Sequence, residues 1–123
     1  MKAKQSTENY LETILILFER NGTVRSIDIA NELGFSKPSV SVATKKLRAL
    51  GYIEVDSHGA ITLTPSGAEL AKSIYERHKV LSSFLISIGV SKDQAMEDAC
   101  LVEHIISEET FEHIKDFFKN RKQ

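Results

Sequence analysis

Apolar residues recur at helical spacing from the start of the chain. Tyr10, Leu11, Ile14, Leu15, Leu17 and Phe18 outline a first helix, with Ser6 or Thr7 as its cap and Asn21–Gly22 as its end. A second helix is expected over residues 26–33, with Ile27, Ile29, Ala30 and Leu33 facing inward. Gly34 closes it, because glycine takes the left-handed turn at little cost. Ser36 reads as the N-cap of a third helix and Pro38 sits in its first turn, where the missing N–H is harmless. Val40, Ala43, Leu47 and Leu50 form that helix's buried stripe, and Gly51 stops it. The period then drops to two. Residues 52–55 and 60–63 read as strands, with Ser57, His58 and Gly59 at a hairpin tip.

Helical spacing returns at 64–67, where TPSG opens a fourth helix reaching to about residue 88. Its stripe is Leu70, Ile74, His78, Leu81 and Leu85. A fifth helix is expected over 92–106, capped by Ser91, and a sixth over 108–119, capped by Ser107. The order helix, helix, turn, helix, hairpin is that of a winged helix-turn-helix. The expected fold is therefore mainly α with a small β wing: a winged helix-turn-helix over residues 1–64, followed by an α-helical domain over 65–123.

Composition narrows the function classes. Hydrophobic residues make up 41% of the 123 positions, ordinary for a folded domain. No apolar run approaches the roughly 18 residues that span a bilayer. The first ten residues, MKAKQSTENY, have no apolar core of a secretory signal, and a single cysteine forms no internal disulfide. A cytoplasmic protein is the expectation.

The net charge of −1 hides a strong asymmetry. Between Leu33 and Ile53 stand four basic residues, Lys37, Lys45, Lys46 and Arg48, and no acid. Between Asp93 and Glu112 stand seven acids and no Lys or Arg. A local basic patch neutralises phosphates even on a near-neutral protein. A recognition helix reads bases with outward residues of its N-terminal half. Here these are Ser36, Lys37, Pro38, Ser39, Ser41 and Val42, with Lys45 and Lys46 placed for phosphate. Arg25, ahead of the second helix, is placed to clamp the backbone, and His58 at the wing tip to reach a neighbouring phosphate. One such helix covers few base pairs, so a dimer on a palindromic double-stranded operator is expected.

The acidic half carries Cys100, Glu103 and His104 at i, i+3 and i+4, a spacing that puts them on one helical face. Thiol, carboxylate and imidazole suit a divalent transition metal rather than Mg²⁺ or Ca²⁺. Three ligands from one helix do not close a site. Glu8, Asn9 and Glu12 on the first helix and His78 on the fourth are the candidates to complete it.

These residues resemble a known family. TENYLETILIL, SKPSVSVATKKLRALGYIE, ITLTPSG, YERHKVLSSFLISIGV and ACLVEHIISEE, with the spacing between them, are similar to the diphtheria-toxin-repressor family of Fe²⁺- and Mn²⁺-dependent repressors. The similarity is greatest to the short manganese-transport-regulator branch. The resemblance implies a homodimer through the C-terminal helices and a metal bound by the first, fourth and fifth helices. Its ligands would be Asn9, Glu12, His78, Cys100, Glu103 and His104. Asn9 departs from the pattern, standing where iron-type members carry Met and manganese-type members Asp. Glu12 matches the manganese type and Cys100 the iron type, while His78, Glu103 and His104 match both. Ser82 and Met96 replace the Glu and His of a second site in iron-type members, so that site is expected to be degraded.

The expected function is a metal-dependent transcriptional repressor of metal-uptake genes. The cofactor would be Fe²⁺ ahead of Mn²⁺, with Zn²⁺, Co²⁺ or Ni²⁺ binding in vitro. The alternative is a winged-helix regulator that senses a small molecule or redox state. An enzyme is not expected, because no general base stands beside an open metal position.

Overall fold

The computed structural model describes residues 2–122, and the surroundings of the side chains for residues 5–120. Among them are six helices and one hairpin: α1 Lys2–Asn21, α2 Ser26–Leu33, α3 Lys37–Ala49, β1 Ile53–Val55, β2 Ile61–Leu63, α4 Pro65–Ser87, α5 Lys92–Val102 and α6 Glu108–Lys122. The chain forms two compact units, Met1–Lys72 and Ser73–Gln123, which divide inside α4.

In the first unit α1 and α3 pack on the hairpin, and α2 packs on α1 and α3. Leu11, Ile14, Val24, Ile29, Val40, Leu47, Ile53 and Ile61 are its largest fully buried apolar side chains. Ser6 and Thr7 lie within α1 rather than capping it, because the helix already begins at Lys2. Gly34 ends α2 at φ 70°, in the left-handed region the turn requires. Ser36 caps α3 by accepting the Ser39 N–H at 3.3 Å. The buried stripe of α3 is Val40, Thr44 and Leu47, whereas Leu50 is exposed. Thr44 is accommodated by donating its hydroxyl to the Ser41 carbonyl at 3.0 Å.

The hairpin is antiparallel, pairing Ile53 with Leu63, Glu54 with Thr62 and Val55 with Ile61. Its turn is organised by Asp56, whose carboxylate accepts the His58 N–H at 2.8 Å and the Ala60 N–H at 2.9 Å. These bonds hold the carboxyl below its usual value. Thr64 links hairpin to helix: its hydroxyl donates to the Gly51 carbonyl at 2.7 Å and accepts the Gly67 N–H at 3.1 Å. Gly67 lies so close to Tyr52 that a Cβ there would stand 2.0 Å from the Tyr52 carbonyl oxygen.

In the second unit Leu81, Ala99 and Phe111 form the buried cluster, flanked by Val80, Val102, Ile106 and Ile114. Ser91 and Ser107 cap α5 and α6, accepting the N–H of Gln94 and Thr110 at 3.4 and 3.1 Å. α5 ends at Val102, four residues earlier than its periodicity suggests (102 against 106). The N–H groups of Ile105 and Ile106 both turn back to the Val102 carbonyl, each at 3.0 Å. Arg77 takes the carbonyls of Glu103 and Ile106. The backbone groups that a longer helix would use are thus satisfied by a turn and a guanidinium.

Candidate metal centre and nucleic-acid interface

Three of the expected metal ligands meet within the second unit. His78 comes from α4; Glu103 is the C-cap of α5, and His104 follows it in the turn toward α6. Glu103 Oε2 lies 2.9 Å from His78 Nδ1, and Glu103 Oε1 lies 3.3 Å from His104 Nε2. Each carboxylate oxygen therefore faces one imidazole. The Glu103 side chain is 0% exposed and that of His104 is 1% exposed. Removing a carboxylate from water costs several kcal/mol unless positive charge or hydrogen bonds offset it. A buried carboxylate between two imidazoles is a donor set that fits a divalent transition metal of the Mn²⁺-to-Zn²⁺ series. Glu103 keeps helical backbone angles at the end of α5, its N–H bonding the Ala99 carbonyl at 2.9 Å, and His104 stands on the turn that follows.

Cys100 belongs to α5 proper and is exposed, in contrast to the buried Glu103 and His104. Glu12 lies in the middle of α1, and both it and Glu8, one turn earlier, are buried. Asn9 is half-buried and lines a cavity of about 340 Å³ with Gln5, Ser6, Tyr10, Leu33 and Phe35. Ser82 is buried and donates its hydroxyl to the Lys79 carbonyl at 3.3 Å, while Met96 is exposed. Neither supplies a carboxylate or an imidazole.

The residues expected to read DNA are all on the outside of α3. Ser36, Lys37, Pro38, Ser39, Ser41, Val42, Lys45 and Lys46 are exposed, as a groove-facing surface requires. Val42 is 69% exposed, so its methyl groups are accessible on the outer face of α3. Ser36 donates its hydroxyl to that of Ser39 at 2.9 Å. Arg25 has a second role that its place in the sequence does not suggest. Its guanidinium donates to the His58 carbonyl and so ties the start of α2 to the wing tip. Its backbone N–H bonds the Asp28 carboxylate at 2.9 Å.

Arg77 is the functional neighbour that spacing does not reveal. Nothing in a lone arginine beside His78 on a long helix tells that it will reach carbonyls 26 and 29 positions further along the chain.

Comparison with known proteins agrees with this arrangement. Residues 2–61 match the N-terminal DNA binding domain of the iron dependent repressors, and residues 64–123 match their metal binding and dimerisation domain. An HTH-type transcriptional regulator of Methanocaldococcus jannaschii is 38% identical over 120 residues, 96% of each chain. The transcriptional regulator MntR of Salmonella typhimurium is 37% identical over 109 residues, 89% of this chain and 69% of MntR. The solved structure of the manganese regulator SloR superposes with a TM-score of 0.82 at 31% identity, covering 92% of this chain and 53% of SloR. A manganese-dependent transcriptional repressor in complex with manganese gives 0.81 at 29% identity, covering 89% and 51%. The chain thus spans about half the length of these solved relatives. The names among these relatives that specify an ion specify manganese, so they lend no support to the Fe²⁺ preference expected from Cys100. With a winged helix-turn-helix in one unit and a buried His–Glu–His cluster in the other, the chain belongs to the iron-dependent repressor family of metal-dependent transcriptional repressors.

Proposed function

We propose that the chain represses its target genes as a homodimer on a palindromic operator when loaded with a divalent metal, and that metal-uptake genes are the targets. The observation that carries this reading is the fully buried Glu103 carboxylate held between His78 and His104. Asn9, Glu12 and Cys100 are the further ligands suggested by the family resemblance. We place Mn²⁺ ahead of Fe²⁺ as the physiological ion. Carboxylate and imidazole donors accept either, and the exposed Cys100 is the one soft donor of the set. Zn²⁺ would bind more tightly in vitro, following the general affinity order of divalent ions.

When bound, the ion supplies positive charge that offsets the buried carboxylates. His78, Glu103 and His104 would hold it within the second unit. Linkage then requires metal to raise operator affinity by the same factor as operator raises metal affinity. The α3 surface supplies the base contacts through Ser39, Ser41, Pro38 and Val42, and the phosphate contacts through Lys37, Lys45 and Lys46. Dimerisation is supported by the apolar side chains that the second unit leaves exposed: Ile86, Ile88, Met96, Leu101, Ile105 and Phe117.

The test is operator binding by fluorescence anisotropy with Mn²⁺ and after chelation. Metal removal is expected to weaken binding several- to about 150-fold, the usual range of allosteric coupling. Glu103→Gln is expected to behave as the chelated protein at every Mn²⁺ concentration. Equal operator affinity with and without metal would defeat the proposal and favour the small-molecule or redox alternative.

A further inference from the structure

Arg77 precedes His78 on α4, and its side chain is only 13% exposed. Its guanidinium makes contacts in four directions. Nη1 donates to the Ile106 carbonyl at 2.8 Å and to the Glu103 carbonyl at 3.3 Å. Nη2 donates to the Glu108 carboxylate at 2.9 Å. The guanidinium carbon stands 5.3 Å from the centre of the Phe111 ring. All these partners lie on the segment that leaves α5, turns through Glu103 and His104, and enters α6.

Backbone bonds close the turn from the N–H side, Glu103 to the Ala99 carbonyl at 2.9 Å and Ile105 and Ile106 to the Val102 carbonyl at 3.0 Å, while Arg77 takes the carbonyls of Glu103 and Ile106. It must also present Glu103 and His104 inward, where both side chains are buried. A guanidinium has a planar fork of fixed donors, and it fixes two carbonyls more rigidly than the single rotating ammonium of a lysine. Glu103 is consequently gripped at both ends by consecutive residues of α4. Arg77 holds its backbone carbonyl and His78 meets its carboxylate.

We propose that Arg77 is a positioning residue for the metal centre: it sets the turn that aims Glu103 and His104 at His78. This rests on the assignment of those three residues as ligands. Partners of this kind, one step removed from the ion, typically contribute about 10- to 100-fold in metal affinity. The Glu108 pair is different. Glu108 is largely exposed, and an exposed ion pair contributes little.

The experiment compares wild type, Arg77→Met, Arg77→Lys, Glu108→Gln and Glu103→Gln, titrated with Mn²⁺ by calorimetry. Each is also loaded with Co²⁺, whose visible absorption reports the number and geometry of ligands. Arg77→Met is expected to bind Mn²⁺ about 10- to 100-fold more weakly, with an altered Co²⁺ spectrum in the molecules that remain folded. Arg77→Lys should recover part of the affinity, and Glu108→Gln should stay near wild type. A purely structural role would lower the melting temperature but leave the Co²⁺ spectrum and the affinity of folded protein unchanged, and that result overturns the proposal. Should Arg77→Met fail to fold, Arg77→Lys carries the test: wild-type affinity and spectrum in that variant overturn it equally. A Glu103→Gln variant that binds as well as wild type would instead remove the ligand assignment itself.

Discussion

Single atoms decide much at Gly67. Its Cβ position is occupied by the Tyr52 carbonyl oxygen, 2.0 Å away, where backbone rather than a movable side chain stands in the way. Gly67→Ala therefore has to push the wing from the start of α4. Overpacking of this kind costs about 1–3 kcal/mol or more, so a fall of several degrees in melting temperature is expected in thermal denaturation. An unchanged melting temperature would mean that the hairpin yields easily. The sequence shows a glycine three residues after Thr64, and that reads as ordinary helix-start punctuation. The close approach itself is a tertiary fact. Glu103 teaches the same lesson. Its spacing from Cys100 and His104 suggests chemistry, but full burial between two imidazoles arises only when α4 lies against the turn.

Among the elements, the wing has a turn held by a titrating group. Asp56 gathers the N–H groups of Ala60 and His58, and these donors hold its carboxyl below the ordinary value. A group with a depressed folded value stabilises the fold above its unfolded value, near pH 4, and that contribution is lost as pH falls through the lower folded value. Lowering the pH from 5 to 2 should therefore loosen the turn, first seen as NMR shift changes at the His58 and Ala60 amides. Amides that stay fixed through the range would show that the carboxylate does not hold the turn. Elements that depend on local rules were legible from residue order. The Ser36 cap, the Gly34 turn, the Ser91 and Ser107 caps and the pair of short strands follow from side-chain hydrogen bonding and backbone freedom within a few residues. The end of α5 was not legible, because the carbonyls beyond it are taken by Arg77, far away in sequence.

For the whole molecule the expectation is that metal binding and operator binding separate by mutation. Lys45 is exposed on α3, far along the chain from His78, Glu103 and His104. Lys45→Ala is expected to weaken operator binding and to reduce the slope of log affinity against log salt by about one, while Mn²⁺ affinity in free protein stays as in wild type. An unchanged salt slope would remove Lys45 from the phosphate contacts. The order of elements, the basic recognition helix and the acidic metal-binding half are written in residue order, because periodicity, capping and charge act over one or two turns of chain. Which imidazole meets the buried Glu103 carboxylate and which arginine holds the Glu103 and Ile106 carbonyls depend on contacts between residues 25 or more positions apart. Burial and long-range hydrogen bonding exist only once the helices have packed, so the tertiary structure alone decided them.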